Sequence, residues 1–266
     1  GVGKHIKNPI SQLDRSNYFF AKNIMKFHIF TLFPKLFESP LEEGVIGRAL
    51  KSGLVQININ NLRDHSVDKH GTVDDYPFGG GPGMLLKPEP IFKSVQSNIE
   101  QNKIKRDSPL ILLSPQGRQF NQNMAKELSL HEEISLICGR YEGFDERIRC
   151  NLITDEISIG DFVLSGGEVP AMVIIDSVSR LLPGVINSSD SAKNDSFYDG
   201  LLQYPQYTRP AEYQGMKVPK ILLSGNHTEI EKWRRRESLK KTKLQRPDLI
   251  ELLSLSEEER TFLENI

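Results

Sequence analysis

Between Lys26 and about Pro183, short apolar runs alternate with segments of helical period. The runs at 27–33, 55–62, 110–114, 134–138 and 157–164 predict strands, being short, apolar and rich in Ile, Val and Phe. Between and after them, positions 35–51, 89–102, 121–128, 144–151 and 169–182 carry the spacing of helices with one buried face. Strands alternating with helices of this length predict parallel pairing and an α/β domain.

The pattern changes after residue 186. Residues 187–196 are polar and aperiodic, which predicts a mobile linker. Beyond Leu201 only 221–223 looks like a strand, and the rest is helical. Asn226, with Glu229 three residues on, predicts a capped helix running to about Lys241, and Pro247 and Ser256 each open a short one. The expected organisation is an N-terminal extension (1–24), a main domain (25–186), a flexible linker (187–199) and a small helical domain (200–266). The extension mixes Lys4, Lys7, Arg15 and Lys22 with polar residues and lacks the apolar core of a secretory signal, so Met25 is the expected natural start.

Composition narrows the classes. Hydrophobic residues make up 38% and charged residues 26% of 266, the profile of a folded, water-soluble chain. No apolar run reaches the roughly 18 residues of a spanning helix, so no membrane association is expected. Cys138 and Cys150 stand outside any C-x-x-C pair, which predicts reduced thiols and a cytoplasmic protein. The net charge of -1 means that any contact with nucleic acid must come from a local patch. One such patch exists. From Lys232 to Arg246 the chain carries eight basic side chains against Glu237 alone, with Trp233 among them. That density suits a phosphate-contact surface.

Four glycine-bearing loops suggest a ligand site. Gly79-Gly80-Gly81-Pro82-Gly83-Met84 bares its backbone, yet fits neither a dinucleotide fingerprint nor a P-loop. The other three follow predicted strands: Ser114-Pro115-Gln116-Gly117-Arg118, Cys138-Gly139-Arg140-Tyr141-Glu142-Gly143 and Ser165-Gly166-Gly167-Glu168. Open α/β sheets bind ligands beyond the carboxyl ends of their strands, so the three loops predict one shared pocket.

These strings, with Ser158-Ile159-Gly160-Asp161-Phe162-Val163-Leu164 and Leu223-Ser224-Gly225-Asn226-His227, occur in an order that resembles the bacterial tRNA (guanine-N1)-methyltransferases of the SPOUT superfamily. The likeness runs from Met25 to the C-terminus. It implies a SPOUT fold with a deep C-terminal trefoil knot followed by a small helical tRNA-binding domain. It also implies a homodimer whose active site is shared at the subunit interface. Methyl transfer from S-adenosyl-L-methionine to N1 of the guanosine immediately 3′ of the anticodon, in tRNAs where a guanosine precedes it, is the implied reaction. By motif, the donor-binding residues fall on Ser114, Pro115, Gln116, Gly139, Tyr141, Glu142, Ile159, Gly160, Asp161, Phe162, Val163, Leu164, Gly166 and Gly167. Phe162 stands where the family often has tyrosine. The resemblance also implies magnesium as an assisting ion, although the chain offers no dedicated all-carboxylate cage and no residue is assigned to a metal.

Guanine N1 carries a proton at neutral pH. A base must take that proton as the N–C bond forms, while a positive group stabilises the charge appearing on O6. In the matched motifs these roles fall on Asp195 and Arg180. Asp195 lies in the predicted linker, which implies that the linker orders when tRNA binds. The alternative, a SPOUT-type RNA-binding module without methyl transfer, has no need of such a base.

Overall fold

A computed structural model describes residues 24–66, 70–186 and 195–266. Its strands up to residue 158 are β1 (Met25–Thr31), β2 (Val55–Asn61), β3 (Asp74–Asp75), β4 (Leu85–Leu86), β5 (Leu110–Gln119), β6 (Glu133–Cys138) and β7 (Asp155–Ser158). Five form one sheet in the order β2-β1-β6-β5-β7. All of its pairings are parallel. β3 and β4 make a separate antiparallel pair.

A parallel sheet is covered on both faces, which is why its central strands read as unbroken apolar runs. Every residue of β6 is buried. The helices of this region are α1 (Glu38–Glu42), α2 (Gly44–Lys51), α3 (Pro88–Glu100), α4 (Gln122–Leu128), α5 (Glu146–Asn151) and α6 (Glu168–Ser179). Ile46 of α2, Met124 and Leu128 of α4, and Ile174, Ile175 and Val178 of α6 join one core with Phe27, Ile29, Leu113 and Leu136. Ile91 and Val95 of α3 and Ile148 of α5 pack on the other face with Phe30, Leu112 and Ile137. The α/β expectation therefore holds as a three-layer arrangement.

Two predicted elements differ. The helix expected over 35–51 is split into a 3-10 turn (Pro34–Phe37), α1 and α2. The chain is extended at Glu43, with ψ of 165°, before α2 begins. The strand expected over 157–164 ends at Ser158. Ser158 Oγ accepts the Gly160 N–H at 3.2 Å, and Gly160 takes φ of +150°, a conformation open to glycine that carries the chain off the sheet edge. By contrast β5 runs past Ser114, with a register shift between Leu113 and Arg118 against β7 that sets 114–117 outside the ladder.

The C-terminal part holds a hairpin, β8 (Glu212–Tyr213) with β9 (Met216–Lys217), and helices α7 (His227–Gln245), α8 (Pro247–Glu251) and α9 (Glu257–Glu264). Both caps read from the sequence are present: Asn226 Oδ1 accepts the Glu229 N–H at 3.3 Å, and Ser256 with Glu259 forms a capping box. Residues 220–223 form a 3-10 turn instead of the strand expected over 221–223, and among the described residues no strand pairs with them. Leu201, Leu239 and Leu263 make a small core separate from those of the sheet.

Most of the N-terminal extension (1–23) and residues 187–194 of the expected linker lie outside the described residues. The rest of that linker is tied down. Ser196 Oγ accepts the Gln203 N–H at 2.9 Å, the Phe197 N–H donates to Leu201 O at 2.7 Å, and the Lys126 ammonium stands 4.3 Å from the Tyr198 ring centroid.

Candidate active site

The bulge of β5 at 114–117 meets the segments that follow β6 and β7, the latter two at the carboxyl ends of their strands. They enclose a cleft of about 280 Å³. Ser114, Pro115, Gln116, Gly139, Tyr141, Glu142, Ile159, Gly160, Phe162, Val163, Leu164, Gly166 and Gly167 all line it. Asp161 does not; its side chain is exposed outside the lining, beside the turn at Gly160.

Close backbone approach builds the walls. A Cβ on Gly117 would stand 2.4 Å from the Glu156 carbonyl carbon, and one on Gly167 would stand 2.7 Å from Cys138 Cα. Neither position has room for a side chain, so the bulged β5 lies against β7 and the start of α6 lies against β6. The Gly167 N–H donates to Gly139 O at 2.9 Å, closing the seam. The glycine-rich segment is drawn to the same place: the Glu142 N–H donates to Met84 O at 3.0 Å and the Leu86 N–H to Gly143 O at 2.9 Å. Tyr76 and Phe78 are exposed just before those glycines.

Behind the cleft lies a charged brace to which the sequence reading gave no role. Arg140 reaches Glu168 Oε2 at 3.0 Å, donates to Ser165 O at 3.1 Å, and stacks 4.3 Å from the Phe33 ring centroid. Glu168 is only 2% exposed, and its Oε1 accepts from Thr31 Oγ1 at 2.7 Å. A buried carboxylate held by a guanidinium and a hydroxyl joins β1 to two cleft loops. Arg140 and Glu168 stood inside the quoted motifs; Thr31 carried no signal, because its partner is 137 residues away.

Arg180 caps the far end of α6, where its Nη2 donates to Asp195 Oδ2 at 2.7 Å. The two side chains, 45% and 43% exposed, line a second cavity of about 340 Å³ with Gln122 and Gln203. A helix rises about 1.5 Å per residue, so Gly167 at one cap of α6 and Arg180 at the other stand about 20 Å apart. The structure thus brings the predicted pair together and holds it away from the cleft of the same chain.

The basic run on α7 is largely partnered. Lys232 pairs with Glu229, Arg234 with Glu231, Arg235 with Asp199 and Glu259, Arg236 with Glu258, and Arg246 with Asp248. Burial raises the Cys138 thiol well above its ordinary pKa, so it stays a neutral core group. Among the described residues no three metal-ligating side chains converge, and no helix is long and apolar enough to cross a membrane.

Comparison with known proteins adds the chemistry. The family described as tRNA (Guanine-1)-methyltransferase TrmD matches residues 25–252. A tRNA (guanine-N(1)-)-methyltransferase of Dehalococcoides mccartyi is 54% identical over 242 residues, spanning 91% of this chain and 97% of that protein. One from Dictyoglomus turgidum is 56% identical over 243 residues, again 91% of this chain and 97% of the relative. The crystal structure of the tRNA (m1G37) methyltransferase from Aquifex aeolicus matches with a TM-score of 0.68 at 42% identity, over 85% of this chain and 95% of that one. Glycine loops meeting at the strand ends, and relatives above half identity over nearly their whole length, lead to one conclusion: the chain belongs to the tRNA (guanine-N1)-methyltransferase family of enzymes.

Proposed function

We propose that this methyltransferase moves a methyl group from S-adenosyl-L-methionine to N1 of the guanosine immediately 3′ of the anticodon, in tRNAs where a guanosine precedes it. The cleft fits such a donor. Its walls combine five glycines with apolar side chains such as Ile159 and Leu164, with Tyr141 and Phe162 as rings, Gln116 and Ser114 as hydrogen-bonding groups and Glu142 as the one acid. The thirteen lining residues given above would hold it. The donor supplies a methyl group activated by a positive sulfonium. Gly117 and Gly167, packed on neighbouring backbone, keep the cleft rigid, and a rigid site can contribute about 7–11 kcal/mol through alignment of the reacting groups.

Asp195 takes the N1 proton of guanine, and Arg180 stabilises the negative charge on O6. Their contact at 2.7 Å joins two half-exposed side chains. An ion pair so exposed contributes about 0–1 kcal/mol, so an arriving base displaces it at little cost. The observation that carries the reading is their place at the opposite end of α6 from the cleft. The two halves meet only if Asp195 and Arg180 of one protomer face the cleft of its partner. A homodimer is therefore part of the proposal, and the exposed apolar side chains Phe33, Leu36, Val163, Val169 and Val173 support it.

The knot and the division into 25–186, 187–199 and 200–266 belong to the same proposal, supported by the likeness to the Aquifex enzyme and by the separate Leu201–Leu239–Leu263 core. So does a cytoplasmic location, where tRNA is found. No residue is assigned to magnesium.

The test is methyl transfer from labelled S-adenosylmethionine to two transcripts of one tRNA, the second with adenosine replacing the target guanosine. Label on N1 of the first alone, falling by at least about 100-fold in Asp195→Ala, is the expected result. Equal labelling of both transcripts, or full activity in Asp195→Ala, overturns the assignment.

A further inference from the structure

Asp195 also forms part of the wall of a third hollow, whose lining does not include Arg180. That cavity, about 440 Å³, lies where the segment after Gly200 meets α7, and Tyr204, Tyr207, Leu222, Trp233 and Arg234 line it with Asp195. Its chemistry is unlike that of the donor cleft. Three aromatic rings supply flat apolar surface. The Arg234 guanidinium lies 4.9 Å from the Tyr204 ring centroid, and its Nη1 is engaged by Glu231 at 2.6 Å. Arg234 Nε is buried with no hydrogen-bond partner among the described residues, a donor without an acceptor.

We propose that this cavity is a nucleobase subsite for a nucleotide of the tRNA that flanks the methylated guanosine. A flat heterocycle satisfies the walls by stacking on Tyr204 or Trp233. A phosphate group does not fit: the rings give it nothing, and the Asp195 carboxylate at the rim repels it. Asp195 lines both this cavity and the one it shares with Arg180, so two consecutive nucleotides splayed to either side of it occupy both. The inference rests on Asp195 acting on the target base, as proposed above.

Trp233 is the one tryptophan of the chain, so its emission reports this cavity alone. The experiment titrates the full-length protein with tRNA transcripts, following tryptophan fluorescence and, in parallel, filter binding and methyl transfer. Besides the parent transcript, three are made abasic: at the target guanosine, at its 5′ neighbour and at its 3′ neighbour. Saturable quenching by the parent, lost with one of the two flanking abasic transcripts while that transcript still binds, is expected. Tyr204→Leu then raises the KM for tRNA by about tenfold with kcat less affected. Quenching by all four transcripts alike, or loss only when the target base itself is removed, overturns the subsite. Methyl transfer with no quenching at all overturns it too, and leaves the enzymatic reading standing. Failure of every transcript to bind overturns both.

Discussion

At the scale of single residues, the burial of His28 sets a pH dependence in the acid range. His28 lies in the inner strand β1 at 1% exposure, with Nδ1 3.4 Å from Asn58 Nδ2 and Nε2 without a partner among the described residues. Burial holds its imidazole below the ordinary value of about 6.5, against the opposing pull of Glu133. The folded state then keeps His28 neutral where the unfolded chain takes up a proton. Its contribution is full above about pH 6.5 and is lost as pH falls below that toward the folded-state value. Thermal unfolding across that window is expected to show the midpoint falling with pH, and His28→Gln to flatten the slope. An unchanged slope in the variant rules out His28 as the source. The sequence showed a histidine inside an apolar run; only packing shows that its ring has one partner instead of two. Asp195 is the converse case. Its Ser- and Asn-rich surroundings read as a solvated loop, and the contact with Arg180 spans 15 positions that no local pattern links.

At the scale of elements, bulged β5 packs directly on the backbone of β7 in the wall of the cleft. Gly117→Ala forces a Cβ into the Glu156–Ile157 peptide, for which overpacking costs about 1–3 kcal/mol. Each kcal/mol lowers the unfolding midpoint by about 2–4 °C in a chain of this size. A drop of that order with weakened donor binding is expected by calorimetry, whereas a midpoint and donor affinity equal to the parent's mean that the crossing tolerates a side chain. Helix α7 offers a second test. Its ion pairs are largely at the surface, where each is worth about 0–1 kcal/mol and is readily exchanged for phosphate. Glu258→Gln releases Arg236 and is expected to tighten tRNA binding, while Lys240→Ala lowers the salt slope by about one. A slope untouched by either variant places the RNA on another surface. Both caps of the C-terminal helices were legible because a cap is local, three residues from acceptor to donor. The strand expected over 157–164 was not, because an apolar run reads alike whether it pairs in a sheet or lines a cleft.

At the scale of the whole molecule, Arg180 lies about 20 Å along α6 from Gly167 of the cleft, and the proposed homodimer then predicts complementation. Under that proposal, an inactive Asp195→Ala protomer and an inactive cleft variant, such as Gly167→Val, each leave one half of the shared site intact. Co-expressed in equal amounts, they form mixed dimers as half of the population, each with one working site of two. About one quarter of parental activity is expected to return. No recovery, with dimers confirmed by sedimentation, means that the site is complete within one chain.

The sequence by itself determined the alternation of strands and helices, the loops that converge on the cleft and the caps of the C-terminal helices. Each of these depends on neighbours a few positions apart, or on the rule that parallel strands present their carboxyl ends together. Tertiary structure alone decided that β6 lies between β1 and β5, that Glu168 is buried against Thr31 and Arg140, and that Arg180 meets Asp195 away from the cleft. These are contacts between distant positions. They form only when the chain has closed around both sides of the sheet, and for Glu168 burial then makes an unpaired charge too costly to leave.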